Sequence, residues 1–165
     1  MEINGLPVHP LVVHAAVVFL PLAAVLALVY AAVPRWRWAT RWPLVGLTAV
    51  ALGSIMTAYF SGRNFLSQRP ELEQLSAVQL HRERAGVLFW VTIVFAVLVG
   101  LAAWGLGGPS GLVSGRFARG RHNPLVEWSL VALLVIMSIV SRAMVIQTGD
   151  AGATAVWGGV APASN

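Results

Sequence analysis

The chain predicts an all-α integral membrane protein, a four-helix bundle with a short interfacial helix between its second and third spans. Three observations carry this. Of 165 residues, 58% are hydrophobic and only 10% charged, at a mean hydropathy of +0.76, which is the composition of a bilayer protein and not of a water-soluble domain. The apolar residues fall into four runs, each long enough to cross a hydrocarbon core of about 30 Å at roughly 1.5 Å per residue. The 11 basic residues are all arginine, and all but Arg142 gather between those runs, a pattern that orients a chain in a membrane more readily than it follows a nucleic-acid backbone. The lipid bilayer is therefore the expected partner, and nucleic acid is not. With no cysteine, disulfides, thiolate ligands and thiol nucleophiles are excluded.

Residues 1–165 read as a single transmembrane domain. Met1 to Pro10 lacks the positive segment of a secretion signal, so the first apolar run is expected to be a retained span. That span covers residues 11–33 and is interrupted by His14 and by Pro21, which frees a backbone carbonyl one turn earlier. Pro34 to Trp42 mixes Arg35, Arg37 and Arg41 with Trp36, Trp38 and Trp42, the make-up of a headgroup-level belt where the chain turns.

The second span, residues 43–60, opens on a proline tolerated in a first helical turn. Ala49, Gly53 and Thr57 recur every four residues, a small-residue stripe that suits either a neighbouring helix of the same bundle or a second copy. Residues 61–84 are the most polar part of the chain. Pro70 followed by Glu71 marks a helix start, so an interfacial helix over about residues 70–84 is expected to deliver His81 to the membrane edge. The third span, residues 85–106, stops where Gly107-Gly108-Pro109 ends helix propensity. An arginine loop with Arg116, Arg119, Arg121 and a surface His122 leads to the fourth span, residues 124–146, which holds Glu127 near its start and Arg142 near its end. Gln147 to Gly159 then reads as a glycine-broken cap folded back at the interface.

Orientation follows from the short loops. The first and third hold six arginines and no acid, the second holds four, so the first and third are expected in the cytoplasm and both termini outside. His14, Arg63, His81, Arg84, Arg142 and Asp150 then gather at the outer end of the bundle.

Two histidines on different helices of a membrane bundle can supply both axial ligands of a b-type haem, with arginines pairing with its propionates. His14 and His81 are the candidate ligands, and Arg84, Arg142 and Arg63 the candidate propionate partners. A copper or zinc site from His9, His14 and His81, with Met56 nearby, is the alternative. A purely structural reading has His14 and His81 bonded to each other or to Asp150, with no cofactor, and His9 at the helix entrance. No nucleophile elbow, phosphate-binding loop or carboxylate pair is present, so no catalytic residue is assigned. A non-enzymatic subunit that anchors a redox protein, or a homo-oligomer, accounts for the same features.

The stretch from Leu6-Pro7-Val8-His9-Pro10 to Val13-His14, His81 after the second span, Gly149-Asp150-Ala151-Gly152, and Val156-Trp157-Gly158-Gly159-Val160 together resemble the bacterial membrane-protein family catalogued as domain of unknown function 2231. The resemblance covers almost the whole chain. It implies a four-span protein of the bacterial cytoplasmic membrane, in a family sometimes fused or adjacent to redox modules such as Rieske domains. It also marks His9, His14, His81, Gly149, Asp150 and Gly152. One departure is visible, because the family more often has Phe-Pro after the second histidine, where this chain has Ala15-Ala16.

Overall fold

The computed structural model describes residues 2, 3, 6–106 and 124–158. The loop 107–123, with its three arginines and His122, and the tail from residue 159 lie outside the described residues. A minimal antiparallel pair, β1 (Glu2–Ile3) and β2 (Leu6–Pro7), sets Glu2 opposite Pro7. It leads directly into α1 (Val8–Ala32). That helix begins three residues earlier than its apolar run suggests. Pro10 falls in the first turn, where its missing N–H has no helical acceptor to lose, so His9 is helical.

The belt expected to turn the chain is mostly helix. A single 3-10 turn at Pro34–Trp36 bonds back to Val33, and α2 then runs from Arg37 to Ser67, 31 residues. At about 1.5 Å per residue this is roughly 46 Å, longer than the hydrocarbon core, so its polar last turns stand beyond the apolar layer. The interfacial helix expected over residues 70–84 is only one turn, α3 (Pro70–Glu73). Leu75 is extended, and α4 begins at Ser76 and continues to Gly105. His81 therefore sits on the third long helix itself. The fourth, α5, spans Pro124–Trp157, so residues 147–157 of the expected folded-back cap continue the helix. Two interior glycines disfavour this by roughly 1 kcal/mol each relative to alanine. Burial of Thr148 and Ala151 against the rest of the bundle offsets that cost.

All four long helices are apolar enough to cross a membrane, with apolar windows between 22% and 33% buried inside the protein. Most of their side chains consequently face lipid, among them Val18, Trp90, Ile136 and Ile146. The heaviest packing is within two hairpins, α1 on α2 and α4 on α5; between hairpins α1 meets α5 and α2 meets α4. Around the bundle the order is therefore α1, α2, α4, α5, with α1 diagonal to α4 and α2 diagonal to α5. The centre is filled by Leu20, Tyr30, Leu44, Phe95, Val99 and Leu134, each at most 1% exposed.

The small-residue stripe does not pack within this bundle. The buried face of α2 is Leu44, Thr48, Ala51 and Ile55, whereas Ala49, Gly53 and Thr57 are exposed. A Cβ added at Gly53 would meet nothing within 4 Å. The Thr57 hydroxyl donates to the Gly53 carbonyl at 2.8 Å, which satisfies it on its own helix as a lipid-facing position requires.

Candidate functional site

At the end of the bundle where α1 and α4 start, two imidazoles meet across the diagonal. The ring centres of His9 and His81 lie 6.4 Å apart with planes at 74°. Each ring is held by a backbone carbonyl from the neighbouring helix of its own hairpin. His9 Nδ1 lies 3.0 Å from the Ala58 carbonyl, with Ser61 Oγ at 3.3 Å, and His81 Nδ1 lies 3.0 Å from the Thr148 carbonyl. A carbonyl only accepts, so both Nδ1 atoms donate. In neutral rings this leaves each Nε2 with its lone pair, the tautomer that metal-ligating histidines adopt when a second group holds the far nitrogen.

Glycines make room for both rings. A Cβ at Gly62 would stand 2.9 Å from His9 Cε1, and one at Gly152 would stand 3.0 Å from His81 Cε1. Neither distance is compatible with an undisplaced imidazole. His9 stands just ahead of the apolar span that starts at Val12. Burial holds its imidazole below the ordinary histidine value of 6.5; the bond to the Ala58 carbonyl opposes this in part, and neighbouring His81 adds to it.

The sequence reading pairs His14 with His81, and the structure places His9 there instead. His14 lies five residues beyond His9, about 140° further round a helix of 3.6 residues per turn, and it is exposed. The difference traces to the start of α1: with the helix taken from Leu11, His9 reads as a loop residue and His14 as the first histidine inside.

The remaining expected residues surround the pair without joining it. Arg84 is half-buried one turn beyond His81 and donates to the Gln147 carbonyl at 2.9 Å. Arg63 is exposed and lies over the Tyr59 ring at 5.7 Å, its Nη1 donating to the Tyr59 hydroxyl at 3.4 Å. Arg142 and Asp150 are exposed, and a Cβ at Gly149 would meet nothing within 4 Å. A cavity of about 620 Å³ opens on the flank, lined by Tyr59, Arg63, Glu73, Gln79, Arg82 and Glu83 and bordered by the Arg82–Glu73 ion pair. The Tyr59 ring stacks on Phe89 at 4.6 Å beside it. Met56 is exposed, and among the described residues no group of three His, Asp or Glu is arranged to hold a metal ion.

At the opposite end a charge is buried that the sequence reading counts only as a loop arginine. Arg37 is 6% exposed and pairs with Glu127 at 2.9 Å. Its Nε donates to the Tyr30 carbonyl at 3.3 Å, and its guanidinium lies 5.9 Å from the centre of the Tyr30 ring. The Tyr30 hydroxyl donates across the bundle to the Ala102 carbonyl at 3.1 Å. Gly62 is the other residue the sequence does not single out, because a glycine in a polar run looks like a loop.

A family model described as "Predicted membrane protein (DUF2231)" matches residues 5–162. No curated protein matches the chain, and no solved structure does.

Proposed function

The chain belongs to the DUF2231 family of membrane proteins, and on that premise we propose that it is an electron-transfer component in which His9 and His81 are the axial ligands of a b-type haem. One observation carries the reading: the 6.4 Å between the two ring centres. With both Nε2 atoms on the line between the centres, two metal–nitrogen bonds of about 2.0–2.1 Å plus roughly 1.1 Å from each nitrogen to its ring centre sum to about 6.3 Å. The donor set favours haem over a bare ion. Structural zinc sites use four protein ligands and catalytic ones three, whereas haem iron takes at most two from the protein, and two imidazoles are what the described residues bring face to face here. Bound there, the group would supply a one-electron iron couple.

The residues of the chain would act as follows. The Ala58 and Thr148 carbonyls hold Nδ1–H on each ring and so present Nε2. Gly62 and Gly152 admit the rings. Arg84, one turn beyond His81, is the first candidate to pair with a propionate, and Arg63 and Arg142 are the next. The family resemblance implies a bacterial cytoplasmic membrane, and the arginine bias of the loops supports placing the histidine end outside, where a redox partner would dock. A second reading, a subunit that anchors such a partner without a cofactor of its own, is favoured by the outward-facing Ala49, Gly53 and Thr57.

The test is to purify the protein in detergent from haem-replete cells and record oxidised and reduced spectra with metal analysis. A Soret band lost in His9→Ala and in His81→Ala but kept in His14→Ala is the expected result. Wild-type protein with no Soret band overturns the haem reading; copper in its place, at one ion per chain, moves the pair to a two-coordinate copper site.

A further inference from the structure

Both hairpins carry the same pattern. Tyr30 and Ala102, which touch across the diagonal, are 72 positions apart, and so are His9 and His81. Applying that shift to the buried face of α1 lands on the buried face of α4: Leu20 on Thr92, Ala23 on Phe95, Ala27 on Val99. For α2 and α5 the shift is 90, the separation of Arg37 and Glu127, and it carries Leu44 to Leu134, Thr48 to Ser138 and Ile55 to Val145, all buried. The larger shift reflects the longer connection inside the second hairpin. Residues that are equivalent in two copies and also touch must flank the axis relating the copies. Three such pairs mark that axis from end to end. It runs along the bundle, as in membrane proteins built from parallel repeats.

The histidine site divides the same way. His9 bonds the Ala58 carbonyl with Gly62 four residues on; His81 bonds the Thr148 carbonyl with Gly152 four residues on. We propose that this site is two equivalent half-sites, one from each copy of a duplicated helical hairpin, and that Gly62 and Gly152 are the positioning residues that aim the two rings at a ligand on the axis. Of the three cross-axis pairs, two are unlike. Tyr30 with Ala102 matches large to small, and Arg37 with Glu127 matches opposite charges, which locks one hairpin onto the other. The histidine pair alone is made of identical residues. Identical donors on a two-fold axis suit a centre that makes two equal bonds, a single metal ion or a metal in a flat macrocycle, and not an asymmetric organic molecule. The ligand class rests on the function proposed above; the equivalence of the half-sites does not.

The experiment uses the full-length protein, ¹⁵N-labelled at histidine, in detergent without added haem, with rings assigned by His9→Asn and His81→Asn. Both rings are expected in the Nδ1–H form. Gly62→Ala should shift only the His9 resonances and Gly152→Ala only those of His81, while Gly53→Ala shifts neither. On titration with haemin, each site-glycine variant should bind about tenfold more weakly or worse, by similar factors, the scale of lost second-layer support. If Gly62→Ala does not fold, Gly62→Ala with His9→Ala should fold as well as His9→Ala alone, because the clash is removed. Both rings responding to one glycine, neither responding, or a failure of that double variant overturns the half-sites. Ring-specific shifts without haemin binding uphold them and overturn the cofactor instead.

Discussion

Glu127→Gln is expected to lower stability by about 2 kcal/mol, a figure bounded on both sides by the burial of the pair. The Arg37 side chain is 8% exposed and that of Glu127 44%, with 2.9 Å between them. Breaking a fully buried pair costs about 3–5 kcal/mol, because the surviving charge is stranded, whereas an exposed pair contributes roughly 0.2–1 kcal/mol. Here the stranded charge is the buried one and the carboxylate is half in solvent, so the intermediate value applies. Glutamine keeps the volume and one acceptor oxygen and therefore isolates the charge. In a chain of this length about 1 kcal/mol moves the melting temperature by roughly 2–4 °C, giving a loss of about 4–8 °C. Melting in one fixed detergent, followed by circular dichroism, reads it. Arg37→Glu should be worse, since two carboxylates then face each other, and Arg37→Glu with Glu127→Arg should recover at least half of that loss. A Glu127→Gln variant that melts with the wild type, or a swap no better than Arg37→Glu, would refute the reasoning.

Three further outcomes follow from the same packing. Tyr30→Phe should cost about 1 kcal/mol, at the modest end because the Ala102 carbonyl also accepts from the Leu106 N–H at 2.8 Å; a loss above that of Glu127→Gln would show that the hydroxyl does more. Because burial lowers the His9 proton affinity, the unfolded chain takes up that proton first. Its contribution to stability is thus complete above pH 6.5 and is lost as pH falls through the lower folded value, so the acid-side decline in melting temperature should be shallower in His9→Gln than in wild type. Finally, Gly53→Leu adds a side chain into open space and should leave the monomer's melting temperature unchanged while lowering any oligomer or partner complex seen by size-exclusion chromatography; a destabilised monomer would contradict the outward placement of the stripe.

The membrane bundle is legible in the sequence because lipid imposes its own length and polarity on each span. Helix ends are not, since hydropathy reports where the apolar layer stops and not where hydrogen bonding stops. That one distinction explains why α2 continues past Phe60 to Ser67, why α4 begins at Ser76, and why α5 runs through Gly149 and Gly152. It also explains the site. Moving the start of α1 from Leu11 to Val8 brings His9 to the axis and turns His14 away. His81 and Gly152 are recognisable from their place after the second span and in the closing Gly-Asp motif. Gly62 becomes meaningful only when its missing side chain is set against the His9 ring. The stripe of Ala49, Gly53 and Thr57 is readable as spacing, but spacing does not say which side of a helix its neighbours occupy.

The two cross-axis locks, Tyr30 on Ala102 and Arg37 on Glu127, sit at one end of the bundle and the histidines at the other, which makes the molecule a pair of calipers. Its arms are the length of α1, 25 residues or about 37 Å, so one degree of rocking about the locked end moves the histidine tips by roughly 0.6 Å. Bilayer thickness changes helix tilt at a cost of only fractions of a kcal/mol per Å. A tilt of one hairpin against the other at the locked end would therefore reach the opposite end as a change in the spacing of the two imidazoles.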